Sequence, residues 1–195
     1  MKAALSILCL ILLVGCEKPV ESVDYSLLVH RDGITYMAYE IEPFTGDAIE
    51  LHENGKLKME RHYVNGRLNG FHRGWHDDGQ LWVEESYNNG ALDGVYREWY
   101  ANGQLRHKHT YKDGKKNGLS QMWHENGQLY LERTYEGGKM VGLTRMWYDD
   151  GRLRAEGTVK DGKMDGLQRE WHSYGKLASE KTYKDGVVIE CIVGC

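Results

Sequence analysis

Two histidines, His107 and His109, are the residues in this sequence best spaced to share a metal ion, because positions two apart on an extended strand project from one face. Zinc holds its ligands at about 2 Å and fills a structural site with four of them. No cysteine or second histidine pair accompanies these two, so they read as partly buried polar side chains. A second row, His52, His76, His124 and His172, recurs at one offset. Equivalent positions in successive hairpins lie roughly 10 Å apart, too far for one ion. Neither a metal nor any other cofactor is expected.

Carboxylates recur in the same manner at Glu60, Glu84, Glu132, Glu156 and Glu180, with Lys108 in the third copy. A glycosidase needs two carboxyl groups facing each other across a cleft. A repeated row that alternates with apolar residues points to solvent, and an active site is a single asymmetric constellation rather than a row. The sequence also has no Gly-x-Ser-x-Gly elbow, phosphate loop or zinc signature. The expectation is a protein that is not an enzyme and has no catalytic residue.

Four cysteines remain to be placed. Lys2 is followed by an apolar run from Ala3 to Val14, then Gly15 and Cys16, the charge, hydrophobic core and small-residue order of a secretory signal. A run of this length is too short to cross a hydrocarbon core, which takes roughly 20 residues as a helix. Leu13-Val14-Gly15-Cys16 resembles a bacterial lipobox, which implies lipidation of Cys16. With Glu17 rather than Asp after it, the analogy with lipoprotein sorting in Gram-negative bacteria implies outer-membrane retention, facing the periplasm or the exterior. Cys9 leaves with the signal. Cys191 and Cys195 remain near the end of the chain, in a compartment that permits a disulfide. Residues four apart on a straight strand are roughly 13 Å apart, so a bond between these two needs a turn near Gly194, and two free thiols are the alternative.

Charge narrows the partners. Loss of residues 1–15 removes one cation, Lys2, and takes the net charge from −4 to −5. Nucleic-acid binders carry basic stripes, so no nucleic-acid partner is expected.

The element that positions all these residues is a repeat. Glycines fall at 46, 70, 94, 118, 142 and 166, a spacing of 24 residues without slippage. Five residues on come Leu51, Trp75, Trp99, Trp123, Trp147 and Trp171, then a His or Tyr. A second glycine, at 55, 79, 103, 127, 151 and 175, precedes a leucine by two residues in every copy. Tyr63, Tyr87, Tyr111, Tyr135, Val159 and Tyr183 follow, each ahead of a third glycine.

Asn-Gly or Asp-Gly between aromatic and β-branched runs signals a hairpin. A two-residue turn at Asn102-Gly103 would put Trp99 and Leu105 on opposite faces. A three-residue turn at Ala101-Asn102-Gly103, closed by a left-handed glycine, pairs them, and the hydrophobic pattern selects it. The same turn applied at Lys112-Asp113-Gly114 predicts one face shared by Leu105, His107, Tyr111, Leu119 and Trp123. The fold expected is all-β: an elongated, solenoid-like, single-layer antiparallel sheet of six 24-residue β-hairpin repeats. Its twelve strands would span on the order of 55 Å.

The pattern Gly-x-x-x-x-Trp-[His/Tyr]-x-[Asn/Asp]-Gly-[Gln/Arg/Lys]-Leu with a following Tyr-x-[Asp/Asn]-Gly-Lys resembles the MORN-repeat variant family, also described as YwqK-type antitoxins. Gly94 to Asn117 and Gly118 to Val141 are clear copies. Arg31-Asp32-Gly33-Ile34-Thr35-Tyr36 and Pro43-Phe44-Thr45-Gly46 look like the lead-in these proteins carry. The resemblance implies an extended antiparallel sheet used for protein association.

The organisation expected is a signal peptide at 1–15, a linker from the lipidated cysteine at 16–27, an N-terminal cap at 28–45, six repeats and a tail at 190–195. The repeats run 46–69, 70–93, 94–117, 118–141, 142–165 and 166–189. The candidate interaction face comprises Trp75, Trp99, Trp123, Trp147, Trp171, Tyr87, Tyr111 and Tyr135, which either line the inside of a curled sheet or accept a partner. The expected function is a lipid-anchored cell-envelope module for protein interaction or scaffolding, with an antitoxin or immunity protein and a glycan-binding protein as alternatives. Self-association through the sheet face or an edge is the further option. The apolar last strand, Val187 to Val193, is either covered by the chain's own N-terminal segment or an assembly site.

Overall fold

The computed structural model describes residues 22–195. The signal at 1–15, Cys16 and the first part of the linker lie outside the described residues. The chain forms two units, Met1–Ala91 and Leu92–Cys195. Apart from one 3-10 turn at Tyr25–Leu27, the described elements are strands.

In the first unit these are β1 (Ser22–Asp24), β2 (Leu28–Arg31), β3 (Ile34–Met37), β4 (Gly46–Leu51), β5 (Leu57–Val64), β6 (Arg67–Trp75) and β7 (Leu81–Asn88). Strands β2 and β3 form a hairpin through Asp32-Gly33, whose φ of 51° and 76° define the two-residue turn that Asp-Gly favours. Three backbone bonds stitch this hairpin to the first repeat. Thr35 N donates to Gly66 O at 2.9 Å, Phe44 N to Thr35 O at 2.9 Å, and Gly66 N to Phe44 O at 2.6 Å. Strand β1 runs parallel to β4 and pairs Ser22 with Asp47 through Asp24 with Ile49, so the first strand of the repeats has no open edge there. Leu28, Phe44, Ala48 and Tyr63 are buried together, packed by Val23, Tyr25, Met37 and Leu68.

The second unit contains β8 (Ala91–Trp99, which begins one residue earlier), β9 (Leu105–Lys112), β10 (Lys115–Lys116), β11 (Gly118–Trp123), β12 (Leu129–Glu136), β13 (Lys139–Trp147), β14 (Leu153–Lys160), β15 (Lys163–Trp171), β16 (Leu177–Lys184) and β17 (Val187–Val193). Consecutive long strands pair antiparallel in chain order, while β10 pairs with β9. The repeats of each unit are thus a single layer of antiparallel hairpins, the all-β repeat fold the sequence predicts, with the parallel β1 and the separate β2–β3 hairpin added ahead of them in the first unit.

The first turn of each repeat takes the expected form. Trp99 pairs with Leu105, Tyr100 N donates to Gln104 O at 2.8 Å, and Gly103 N donates to Tyr100 O at 2.9 Å. Gly103 sits at φ 81°, the left-handed position that closes a three-residue turn.

The second turn corrects the expectation. Lys112 pairs with Lys115, and Asp113 and Gly114 have φ of 49° and 74°, a two-residue turn rather than a three-residue one. A β-bulge offsets the change: Glu98 pairs with His107 although Trp99 pairs with Leu105, which leaves Arg106 as the extra residue. The bulge lets both Arg106 and His107 reach the Glu98 carboxylate, at 2.7 and 3.0 Å.

This extra residue inverts the alternation of side chains along β9. Gly94, which pairs with Tyr111, shares a face of β8 with Tyr96 and Glu98, whereas Val95, Arg97 and Trp99 take the other. The expected single face of tryptophan, leucine and tyrosine is therefore split in two. Trp75, Trp99, Trp123, Trp147 and Trp171, each paired with a leucine, lie opposite Tyr87, Tyr111 and Tyr135.

Candidate interaction surface

The tyrosine face is covered by its own side chains. Val83, Leu131 and Val159 are buried there, as are His109 and Ser120. The rings of Tyr96, His109 and His107 stack in series, with centroids 5.6 and 5.5 Å apart, and Tyr111 meets Tyr96 and His109 edge-on. His109 Nδ1 and Ser120 Oγ are 2.7 Å apart across the β9–β11 junction. Burial pushes the His109 imidazole down to about 4, helped by the nearby charges of Lys116 and His107, so at neutral pH it is the uncharged partner of Ser120. A serine and histidine this close could suggest a nucleophile, but both are almost fully enclosed, leaving no room for a substrate.

Carboxylates on this face serve the same packing. Burial raises the Glu98 carboxyl, but the bonds from Tyr96 and His107 and the charge of Arg106 outweigh it and hold the group below the usual range. Glu85 behaves alike in the first unit, with burial overcome by His72 at 2.8 Å and Tyr87 at 3.0 Å. The histidines singled out as metal candidates thus hold neighbouring side chains in place. Among the described residues no group of three or more His, Cys, Asp or Glu side chains is arranged to hold a metal ion.

The tryptophan face differs in kind. In the second unit Leu119, Leu143 and Leu167 are 45, 41 and 37% exposed, a row of large apolar side chains left in water, and their equivalent in the first unit, Phe71, is 49% exposed. They stand one residue after the repeat glycines, a periodicity visible in the sequence but passed over beside the louder tryptophan signal. Next to them runs a ladder of ion pairs. Arg73 Nε meets Glu84 at 2.9 Å, Arg169 Nε meets Glu180 at 2.7 Å, and Arg145 and Arg169 flank Glu156 at 3.7 and 3.8 Å. The recurring glutamates expected in solvent are instead partly covered, Glu60, Glu84, Glu156 and Glu180 by arginines and Glu132 by Gln121, on the face that carries the tryptophans. Trp75, Trp99, Trp123, Trp147 and Trp171 are half-buried at its margin.

Repeats are tied to one another at their first turns. His52 Nε2 lies 2.8 Å from Trp75 O, Tyr100 Oη donates to Trp123 O at 2.8 Å, His124 Nε2 lies 3.2 Å from Trp147 O, and Tyr148 Oη donates to Trp171 O at 2.6 Å. Asn54, Asn102 and Asn126 add a parallel set, each donating from Nδ2 to a carbonyl of the next repeat. This accounts for the His or Tyr at 52, 100, 124 and 148 and for the Asn at 54, 102 and 126, whereas His76 Nε2 is buried without a hydrogen-bond partner. A cross-strand pair beside the turn varies jointly: Glu50 with Lys58 (2.6 Å), Glu98 with Arg106 (2.7 Å), and Gly74 with Trp82. At Gly74 a side chain would meet Met59 Sδ and Trp82 Nε1 at 2.8 Å, so the glycine is what admits the indole.

At the end of the chain, Cys191 and Cys195 are joined by a disulfide with Cα atoms 5.9 Å apart. Gly194, at φ 75°, supplies the turn between them. Of the N-terminal segment, Ser22–Asp24 pairs with β4. Two bulges interrupt the pairing of β17 with β16, leaving Ile189 and Ile192 as extra residues. Bulges of this kind twist an edge away from further pairing, so β17 is a blunted edge despite the exposure of Val187, Ile189 and Ile192.

No described helix is long and apolar enough to cross a membrane. No curated protein matches the chain. The MORN repeat variant matches at residues 44–65, 69–89, 92–113, 116–136 and 164–185, together more than half of the sequence. The hairpin of β13 and β14, outside those matches, departs from the pattern at Val159, where the other repeats have tyrosine, yet forms the same paired strands. With five matched repeats and a hairpin built on each, the chain belongs to the MORN repeat variant family, whose tandem units suit it to protein interaction.

Proposed function

We propose that this chain is a lipid-anchored interaction module of the bacterial cell envelope and not an enzyme. Anchoring rests on Cys16 and the apolar run before it, which would tether the repeats to the outer membrane. The observation that carries the interaction reading is the exposed row Leu119, Leu143 and Leu167 of the second unit beside a ladder of ion pairs. Covering such partly exposed side chains is worth on the order of 1 kcal/mol each. Flanking charges would set the orientation of the partner more than the strength of binding. The tyrosine face, filled by its own rings, serves as packing.

Two measurements test this reading. Cys16→Ser should move the chain from the membrane fraction to the soluble fraction. Capture from detergent-solubilised envelope should recover a stoichiometric protein, lost when Leu119 and Leu143 are changed to Asp. A chain that remains membrane-bound as Cys16→Ser would defeat the anchor, and capture no better than background would defeat the interaction module.

A further inference from the structure

Among the described residues, Asp32, Asn65, Asn89, Asp113, Asp161 and Asp185 have φ between 48 and 52°, and each is followed by glycine in a tight turn. Short polar side chains of this kind tolerate the left-handed backbone, because they bond locally and have little bulk to clash. One large residue shares it: Tyr39, in the first unit, has φ 72°. Backbone bonds impose this. Glu40 N donates to Met37 O at 3.0 Å, which makes Tyr39 the third residue of a turn, where positive φ calls for glycine or asparagine. Ala38 N donates to Leu27 O at 2.7 Å, Arg31 Nη2 donates to Glu40 O at 2.7 Å, and Tyr36 bridges to Pro43. The β2–β3 hairpin thus fixes both ends of the loop and its tip.

The ring gains nothing from its own chain in return. Tyr39 is fully exposed and Ile41, two residues on, is 83% exposed, the two most exposed large apolar side chains among the described residues. A bulky side chain that strains its backbone and packs on nothing does not serve the fold, and strain of this kind collects where proteins bind. Glu40 and Glu42 alternate with the pair and are exposed as well. We propose that Tyr39 and Ile41 form a preformed hook that enters an apolar pocket, rimmed by lysine or arginine, on a different protein. Tyrosine is among the residues that carry most binding energy at interfaces, and a loop already fixed in shape loses little freedom on binding. The two carboxylates select the occupant. An anionic bilayer surface repels them, whereas a basic rim pairs with them. This surface lies in the first unit and goes beyond the leucine row of the second.

The test is photo-crosslinking in cells that carry the full chain with a benzophenone side chain at position 41, together with thermal unfolding of the purified chains. Illumination should give one discrete adduct with a different protein. Tyr39→Asn should cut its yield by at least about tenfold. The same change should raise the thermal midpoint by about 2 °C, because asparagine accepts the left-handed backbone at lower cost. Glu40→Lys/Glu42→Lys should also cut the yield about tenfold, whereas Glu40→Asp/Glu42→Asp should retain it. An adduct that survives Tyr39→Asn or the charge reversal, or a Tyr39→Asn chain less stable than the wild type, would overturn the proposal. Adducts with lipid alone, or with a second copy of the chain, would overturn it by naming another occupant. No adduct at all, with capture through Leu119 and Leu143 intact, would end the hook and leave the interaction module standing.

Discussion

The hydroxyl of Tyr100 donates to the carbonyl oxygen of Trp123, 2.8 Å away, and so joins the first turn of one repeat to the strand of the next. Histidine does the same at 52 and 124, and tyrosine again at 148. A repeat protein is stabilised by the contacts each unit makes with its neighbours. This bond is one such contact, made by a part-buried group that would otherwise leave a carbonyl unsatisfied.

Tyr100→Phe should cost about 1 kcal/mol in urea unfolding. Tyr100→His should recover most of that, because histidine makes the equivalent bond at 52 and 124. Equal stability of Tyr100→Phe and the wild type would show that the bond adds nothing.

Gly74 and Trp82 form a matched pair, and their equivalents in the third repeat are Glu98 and Arg106. Gly74→Glu alone should destabilise the first unit by about 2 kcal/mol, since the added side chain meets the indole and Met59. Adding Trp82→Arg should return at least half of the loss by rebuilding the ion pair of the third repeat. Strictly additive effects in that double-mutant cycle would contradict the pairing.

Stability should fall as pH falls. His109 titrates at about 4 in the folded chain against an ordinary 6.5, so between those values the unfolded chain binds the proton and the folded one does not. Stability is complete above about pH 6.5 and should decline by roughly 2–3 kcal/mol by pH 4. Glu85 and Glu98, both held below the usual carboxylate range, extend the loss in the same direction at still lower pH. Chemical denaturation at a series of pH values measures the slope. His109→Gln should flatten it between pH 6.5 and 4, and a wild type equally stable at pH 4.5 and 7 would contradict the burial argument.

The hairpins were legible in the sequence because Ala101-Asn102-Gly103 and its counterparts carry turn chemistry that admits few conformations, and a 24-residue spacing fixes their order. The division into two faces was not. Asp113-Gly114 serves a two-residue turn as well as a longer one, and nothing local to Arg106 marks it as the extra residue of a bulge. Each error shifts the alternation by one, which is enough to move Tyr111 to the face opposite Trp99. Leu119 was legible as a neighbour of Trp123 on one face, because the two errors cancel between Leu105 and Leu119. Its row with Leu143 and Leu167 was passed over because the tryptophans mark that face more strongly.

The central claim is that the face bearing Leu119 and Leu143 makes the contacts while the tyrosine face holds the repeats together. The most direct measurement compares Leu119→Asp/Leu143→Asp with Tyr111→Ala/Tyr135→Ala, reading association in detergent and thermal unfolding on the same preparations. The first pair should abolish association and leave the unfolding midpoint within about 2 °C of the wild type, while the second should lower the midpoint by several degrees. Association that survives Leu119→Asp/Leu143→Asp, or is lost in Tyr111→Ala/Tyr135→Ala with no change in midpoint, would contradict it.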